Sequence, residues 1–76
     1  MQYRELEPVA LDNDLPGHGL KRGDLGAVVF VHSPYLVDVE FVTASGNTQA
    51  LVTLETTQLR PVGPRDLLAV RHLDAA

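Results

Sequence analysis

Residues 35–42 alternate between two faces of an extended chain, and this pattern constrains the fold more than any other in the sequence. Successive side chains of a β-strand point to opposite faces, so a two-residue period predicts a strand with one buried face. Asp38 and Glu40 fall on the face that is predicted to meet water. The other face is apolar and is predicted to belong to the core: Tyr35, Val37, Val39 and Phe41.

Four further extended segments surround this strand and predict a mainly β domain. Ala27–His32 is apolar on both faces and rich in β-branched residues, which favours the central, most buried strand of a sheet. Gly26 at its head predicts a bulge or a sharp bend. The remaining strands are predicted at Glu7–Leu11, Thr48–Leu54 and Leu59–Val62.

The predicted connections between these strands indicate a particular architecture. Residues 12–22 are dense in turn formers and predict a long first loop, whereas Thr43–Asn47 predicts a hairpin connection with Gly46 or Asn47 at positive φ. Residues 55–58 are too few for a helix and predict a 3-10 turn. This order is that of an SH3-like barrel, so we predict a small five-stranded SH3-like barrel over residues 1–62.

Residues 63–76 are predicted to form a short C-terminal helical extension. Pro64 suits the first turn of a helix, and Asp66 suits the positive end of the helix dipole. Because an isolated helix of this length is marginal in water, we expect it to dock on the barrel or on a second chain, or else to fray. Its narrow apolar stripe consists of Leu67, Val70 and Leu73.

The chain has 76 residues and no cysteine, which excludes disulfides, thiolate zinc sites and thiol catalysis. A domain of this size buries only about 60% of the surface of its unfolded chain, so its stability is marginal. Oligomerisation is the most plausible remaining way to add stability. The lack of cysteine also fits a reducing cytosol, and we expect a cytoplasmic protein. The longest strongly apolar stretch, Ala27–Val31, is too short to span a membrane.

Several segments carry a family resemblance: Pro8–Leu11, Asp14–Pro16, His18–Gly26, Val37–Val42 and Leu54–Pro61. Together they resemble a family of small bacterial proteins known as domain of unknown function 4926, over roughly residues 7–62. The resemblance implies a single SH3-like barrel in bacteria and carries no established activity. Members often look like products of mobile or toxin-neighbouring gene clusters, which suggests an antitoxin or immunity role.

Composition and spacing argue against several functions. The net charge of −4 argues against a general binder of nucleic acid or of an anionic membrane, which needs a cationic surface. Asp12, Asp14 and His18 lie close in sequence but lack the spacing of a calcium loop, and turn chemistry explains them better. Neither Ser33 nor Ser45 lies in a nucleophile elbow. We therefore predict no catalytic residue, metal ligand or cofactor, and expect the protein not to be an enzyme.

The strongest functional hypothesis is a non-catalytic protein-interaction module with an unknown protein partner, for which a homodimer is one form. One face of the apolar strands of a small barrel stays outside, and an exposed apolar patch marks a partner site. Val28 and Phe30 are predicted to share that outer face. The candidate contact residues are Val28, Phe30 and Leu36 on the strands and Leu67, Val70 and Leu73 on the tail helix.

Two alternatives remain open. The first is a nucleic-acid-associated barrel like the KOW domains, which have a turn similar to residues 22–26. It would use the basic residues Lys21, Arg22 and Arg60, although two or three cations neutralise few phosphates. The second is an accessory subunit of an enzyme.

Overall fold

The computed structural model describes residues 2–73, which form five antiparallel strands and two 3-10 turns. Every predicted strand is confirmed, with ends that differ by at most two residues. None of the helical elements in this part of the chain is long or apolar enough to cross a membrane. The strands are β1 (Pro8–Leu11), β2 (Leu25–Ser33), β3 (Leu36–Val42), β4 (Thr48–Glu55) and β5 (Leu59–Pro61), and the 3-10 turns are Pro16–His18 and Thr56–Gln58.

The five strands form one sheet in the order β4-β3-β2-β1-β5, so β4 and β5 are its two edges. Only the 3-10 turn Thr56–Gln58 separates these edge strands in the chain. The two edges of a flat five-stranded sheet would lie roughly 19 Å apart, since neighbouring strands are about 4.8 Å apart. A 3-10 turn rises only about 2 Å per residue. The sheet must therefore curl until its edges approach each other.

The curled sheet is not closed, which corrects the predicted closed barrel. In the order of strands found over residues 2–73, β4 is hydrogen-bonded to β3 and β5 to β1, with no pairing between β4 and β5. The 3-10 turn before β5 and the hairpin before β4 are confirmed, and Gly46 has the predicted positive φ, at 89°.

The core lies on the concave face of the sheet and is built mainly of valine and leucine. β3 contributes alternate residues, as its two-residue period predicts. Leu20, in the long loop after β1, and Tyr3, before the first strand, close over the same core, and neither position was marked by a sequence pattern. The buried cluster comprises Tyr3, Val9, Leu11, Leu20, Val28, Val37, Val39, Phe41, Leu54 and Leu59.

Strand β2 is central in the sheet, as predicted, but it is not the most buried strand. Val28 is fully buried and pairs with Val39, whereas Phe30 pairs with Asp38 on the outer face. A register shift between Val28 and Phe30 breaks the alternation of β2. The prediction that Val28 and Phe30 share one face is therefore wrong, because the bulge turns the strand between them.

Gly26 lies close against side chains and backbone of β3, and the predicted bulge is not at this residue. It pairs with Val9 in the regular register between β1 and β2. A Cβ atom at this position would lie 2.6 Å from Val39 Cγ1 and 2.8 Å from Phe41 Cε1. The backbone oxygen of Glu40 would be 3.0 Å away. A side chain on Gly26 would therefore displace core groups or the β3 backbone.

Two predictions at the ends of elements are wrong. The two-residue period predicts Tyr35 on the core face of β3, but Tyr35 lies in the turn before β3 and is exposed. The predicted helix after Gly63 is absent, and residues 63–73 have no regular secondary structure beyond a turn at residues 64–65. A short helix needs an apolar face to pack against the domain, whereas Leu67 and Val70 face solvent. The last predicted residues of this extension, 74–76, lie outside the described part.

Candidate interaction surfaces

The convex face of β2, β3 and β4, called the outer face below, combines exposed apolar side chains with acids. Phe30 is 49% exposed and stands beside Asp38, its partner on β3. Leu51 is 61% exposed and stands opposite Glu40. The predicted contact residue Leu36 pairs with the exposed Glu55 at the other end of the sheet. Cross-strand pairing thus sets an apolar group beside a carboxylate in each of these rows.

The charge of the outer face is of one sign. No lysine or arginine occurs between Gly23 and Leu59, a stretch that contains β2, β3 and β4. The carboxylates of Asp38, Glu40 and Glu55 belong to this face because each pairs in register with an outer-face residue. The surface is therefore both apolar and acidic, and it would repel a phosphate backbone.

A short chain of polar side chains crosses this face. The Thr53 hydroxyl donates to Asp38 Oδ1 over 2.6 Å, and His32 Nε2 lies 2.8 Å from the same oxygen. These two hydrogen bonds, that from Thr53 first, hold the pKa of Asp38 below its usual range. The imidazole of His32 also packs edge-on against Phe30, with ring centroids 4.7 Å apart. The carboxylate thereby links its own strand, β3, to side chains on both neighbouring strands, β2 and β4.

This chain of groups does not have the arrangement of a hydrolytic triad. In a hydrolytic triad the hydroxyl is hydrogen-bonded to the imidazole, which takes its proton, and the carboxylate orients the imidazole from the other side. Here both Thr53 and His32 contact Asp38 instead. The geometry orders the surface but does not join the Thr53 hydroxyl to the His32 imidazole.

A second surface lies where residues 69–73, called the tail below, cross the loop between β1 and β2. Arg71 Nε donates to Asp24 Oδ1 over 2.9 Å, and its Nη2 donates to Asp24 Oδ2 over 2.6 Å. Nη2 also donates to the carbonyl oxygen of Gly19 over 3.1 Å. The guanidinium therefore spans two acceptor groups of the loop.

Two open grooves flank this contact. One, of about 620 Å³, separates the tail from the hairpin between β3 and β4 and is lined by Leu25, Phe41 and Val42 among others. The other, of about 550 Å³, is lined by Asp14, Pro16 and Lys21 among others. Both grooves include Leu20, Gln49, Arg71 and Leu73 in their walls.

The contact between Asp24 and Arg71 predicts a pH dependence. The hydrogen bonds from Arg71 lower the pKa of the Asp24 carboxyl, although burial of the carboxyl has the opposite effect. A carboxyl whose pKa is lower in the folded state adds stability above its unfolded pKa of about 3.9 and loses it as the pH falls through the folded value. We expect Asp24→Asn to be less stable than the wild type near neutral pH, with a difference that shrinks below about pH 4.

Urea unfolding followed by circular dichroism at several pH values measures this difference. Arg71→Ala serves as the matched variant, because it keeps the carboxylate and removes the group that chiefly lowers its pKa. Both variants are expected to converge on the wild type in acid. A stability difference that stays constant with pH would mean that the Asp24 carboxylate gains nothing from Arg71.

The predicted basic residues do not form a cationic patch. The backbone N–H of Arg22 donates to Asp14 Oδ1 over 2.8 Å, and its Nε lies 3.4 Å from Asp12 Oδ1. Arg60 Nη1 lies 3.3 Å from Asp66 Oδ2, whereas Lys21 is exposed at the turn before Asp24. Each arginine of the predicted set is thus paired with an acid, which leaves little cationic surface for phosphate.

The predicted apolar contact residues are only partly brought together. Val28 is removed from the surface because it is fully buried, whereas Phe30 and Leu36 lie on the outer face. Leu67 and Val70 are solvent-exposed, and Leu73 is half-buried against the loop. Without the helix these three residues form no stripe, so the predicted joint surface of strands and tail is absent.

Asp12, Asp14 and His18 all lie in the loop between β1 and β2. Asp12 and Asp14 contact Arg22, and His18 ends the first 3-10 turn. Within residues 2–73, no group of three histidine or acidic side chains is arranged to hold a metal ion. Two residues that matter for the surfaces, Leu51 and Arg71, had no distinguishing sequence pattern, although the outward position of Leu51 follows from the period of β4.

Comparison with known proteins gives a family and no function. No curated protein and no solved structure shows significant similarity to the chain. A family model described as a domain of unknown function matches residues 5–61, which include all five strands and the Asp24 loop but end before the tail. On this match over most of its length, the chain belongs to the DUF4926 family.

Proposed function

We propose that this domain is a non-catalytic protein-interaction module with an SH3-like barrel fold. The meander of β2, β3 and β4, the 3-10 turn and the return of β5 beside β1 support the fold. The outer face supports the function, because exposed apolar side chains grouped on one face of a sheet mark a partner site. The single observation that carries the proposal is the pairing of Phe30 and Leu51 with the acids Asp38 and Glu40 on that face.

The chemistry of the outer face favours a partner that presents apolar and basic side chains. Complementary charge steers association and suppresses wrong partners. A second copy meeting the same face would bring Asp38, Glu40 and Glu55 toward their own equivalents. The face thus favours a separate partner over a homodimer, and a regulatory or immunity-like role, in which the domain neutralises such a partner, is the form that fits best.

The nucleic-acid alternative has less support. Its three predicted cations lie around the loop and β5, where Arg22 and Arg60 are paired with acids. Binding to a phosphate backbone requires several unneutralised cations. An accessory role beside an enzyme is compatible with the same outer face and differs only in what the partner does.

Affinity capture with matched surface variants tests the proposal. Leu51→Ser removes an apolar contact from the outer face, and Leu68→Ser makes the same change on a residue of similar exposure, 69%, after Gly63. We expect a protein that is retained by the wild type and by Leu68→Ser, lost with Leu51→Ser, and weakened by added salt. Identical capture by all three proteins, or loss with Leu68→Ser alone, would contradict binding through the outer face.

A further inference from the structure

The loop between β1 and β2 builds an acceptor site from its own backbone. The N–H of Lys21 donates to Asp24 Oδ2 over 2.8 Å, and the N–H of Asp24 donates to the carbonyl of Lys21 over 3.0 Å. The carbonyl of Asp24 in turn accepts the N–H of Leu11, a core residue of β1. The Asp24 backbone is therefore anchored to the domain, and its carboxylate accepts one hydrogen bond, from Lys21 N–H, that does not depend on the tail.

The arrangement of acceptors suits a guanidinium group. The two oxygens of Asp24 receive Nε and Nη2 of Arg71 side by side, and Nη2 also reaches the carbonyl of Gly19. Arginine presents its donors in a rigid planar fork, whereas lysine offers a single compact ammonium group. A paired carboxylate with an adjacent carbonyl is thus selective for arginine.

The segment that fills this site contacts the domain through Arg71 and Leu73, and its other residues are exposed. It has no regular secondary structure, and Val70, next to Arg71, is 100% exposed. Grooves of about 620 and 550 Å³ stay open on its two sides. The family match ends at residue 61, so the acceptor lies inside the family domain and its arginine lies outside it.

We propose that Asp24 and the Gly19 carbonyl form a recognition site for an arginine within an extended, apolar segment of a partner protein, and that the tail occupies this site in cis. The tail shows the chemistry of the ligand: an arginine followed two residues later by a half-buried apolar side chain, Leu73. A partner segment with the same pattern would compete with Arg71 for the Asp24 carboxylate. The tail is therefore an intramolecular competitor of the partner. This site is separate from the outer face, and its test does not depend on that surface.

The test uses the full chain with Arg71→Ala, which empties the site, and a synthetic peptide with the sequence of residues 66–73. Binding is followed by the amide NMR shifts of Gly19, Asp24 and Gln49. We expect the peptide to bind Arg71→Ala at least tenfold more tightly than the wild type, whose own arginine competes. Relative to the arginine peptide on Arg71→Ala, a peptide with lysine in place of arginine should bind the same variant at least tenfold more weakly. The arginine peptide should also bind the double variant Asp24→Asn/Arg71→Ala at least tenfold more weakly.

Three results would overturn the proposal. The first is equal affinity of the peptide for the wild type and Arg71→Ala, or no shifts with either. The second is equal binding of the lysine peptide, which would indicate unspecific attraction to an acidic domain. The third is a concentration-dependent dimer of the wild type that Arg71→Ala abolishes, which would assign the site to the tail of a second copy. Loss of partner capture by Leu51→Ser leaves each of these readouts unchanged.

Discussion

Replacing Gly26 with alanine should lower the free energy of unfolding by about 1–3 kcal/mol, the usual cost of overpacking a core. The added Cβ would lie 2.6 Å from Val39 Cγ1 and 3.0 Å from the Glu40 carbonyl oxygen. Valine is stiff about χ1 and the Glu40 oxygen belongs to the backbone, so neither can move aside without disturbing β3, and Phe41 Cε1 at 2.8 Å adds to the crowding. Gly26 does not have positive φ, so the expected loss comes from crowding and not from backbone strain.

Gly17→Ala is the matched control for this prediction. Gly17 also lacks positive φ, and a Cβ there would meet no atom within 4 Å. At such a site alanine should be neutral or stabilising by up to about 1 kcal/mol, because it restricts the unfolded chain. Urea unfolding measured by circular dichroism compares the two variants. Equal stability of Gly26→Ala and Gly17→Ala would show that Gly26 does not lie this close to Val39 and Glu40.

Replacing Phe41 with alanine should cost about 3–5 kcal/mol, because it removes a buried aromatic side chain from the core and leaves a cavity. Phe41 is 2% exposed, and its ring occupies the place where a side chain on Gly26 would lie. Small domains have total stabilities near the lower end of about 5–15 kcal/mol. We therefore expect much of the Phe41→Ala protein to be unfolded at room temperature.

Two further variants keep this prediction measurable. Val42→Ala changes the next residue, which points to the outer face, and should alter stability by no more than about 0.5 kcal/mol. Phe41→Leu retains most of the apolar volume and should give an intermediate loss with a complete unfolding curve. If Val42→Ala were as damaging as Phe41→Ala, the assignment of the two faces of β3 would be wrong.

The orientation of β3 could be predicted because its two faces differ in polarity. β3 alternates between core residues and acids, so its period fixes which side chains are buried. The edge position of β5 follows from Pro61, which has no N–H to donate to a further strand. Gly46 and the short segment before β5 identify the turns by residue type alone.

The orientation of β2 could not be predicted, because a strand that is apolar on both sides carries no period. Its bulge between Val28 and Phe30 changes which residues face the core, and nothing in that run of residues marks it. The prediction of a C-terminal helix is wrong for a different reason. Spacing of Leu67, Val70 and Leu73 suits a helix, but a helix of this length needs a surface to pack on, and only the fold determines whether one exists.

In the candidate sites, too, local sequence identifies single residues, whereas contacts between distant residues depend on the fold. Phe30 and Leu36 were identified because the apolar run exceeded what one face of a small sheet can bury. The contact between Asp24 and Arg71 joins residues 47 positions apart, and no local pattern relates them. The pairing of Arg22 with Asp12 likewise depends on how the loop folds, so a sequence count of cations overstated the basic surface.

The most direct test of the central claim, binding through the outer face, is to map the contact on the isotope-labelled domain with the partner that affinity capture retains. Amide NMR shifts should change along the paired rows of the sheet, at Phe30, Asp38 and Leu51, and the affinity should fall as salt is added. Shifts that instead cluster at Lys21 and Arg22, with the outer-face rows unchanged, would contradict it.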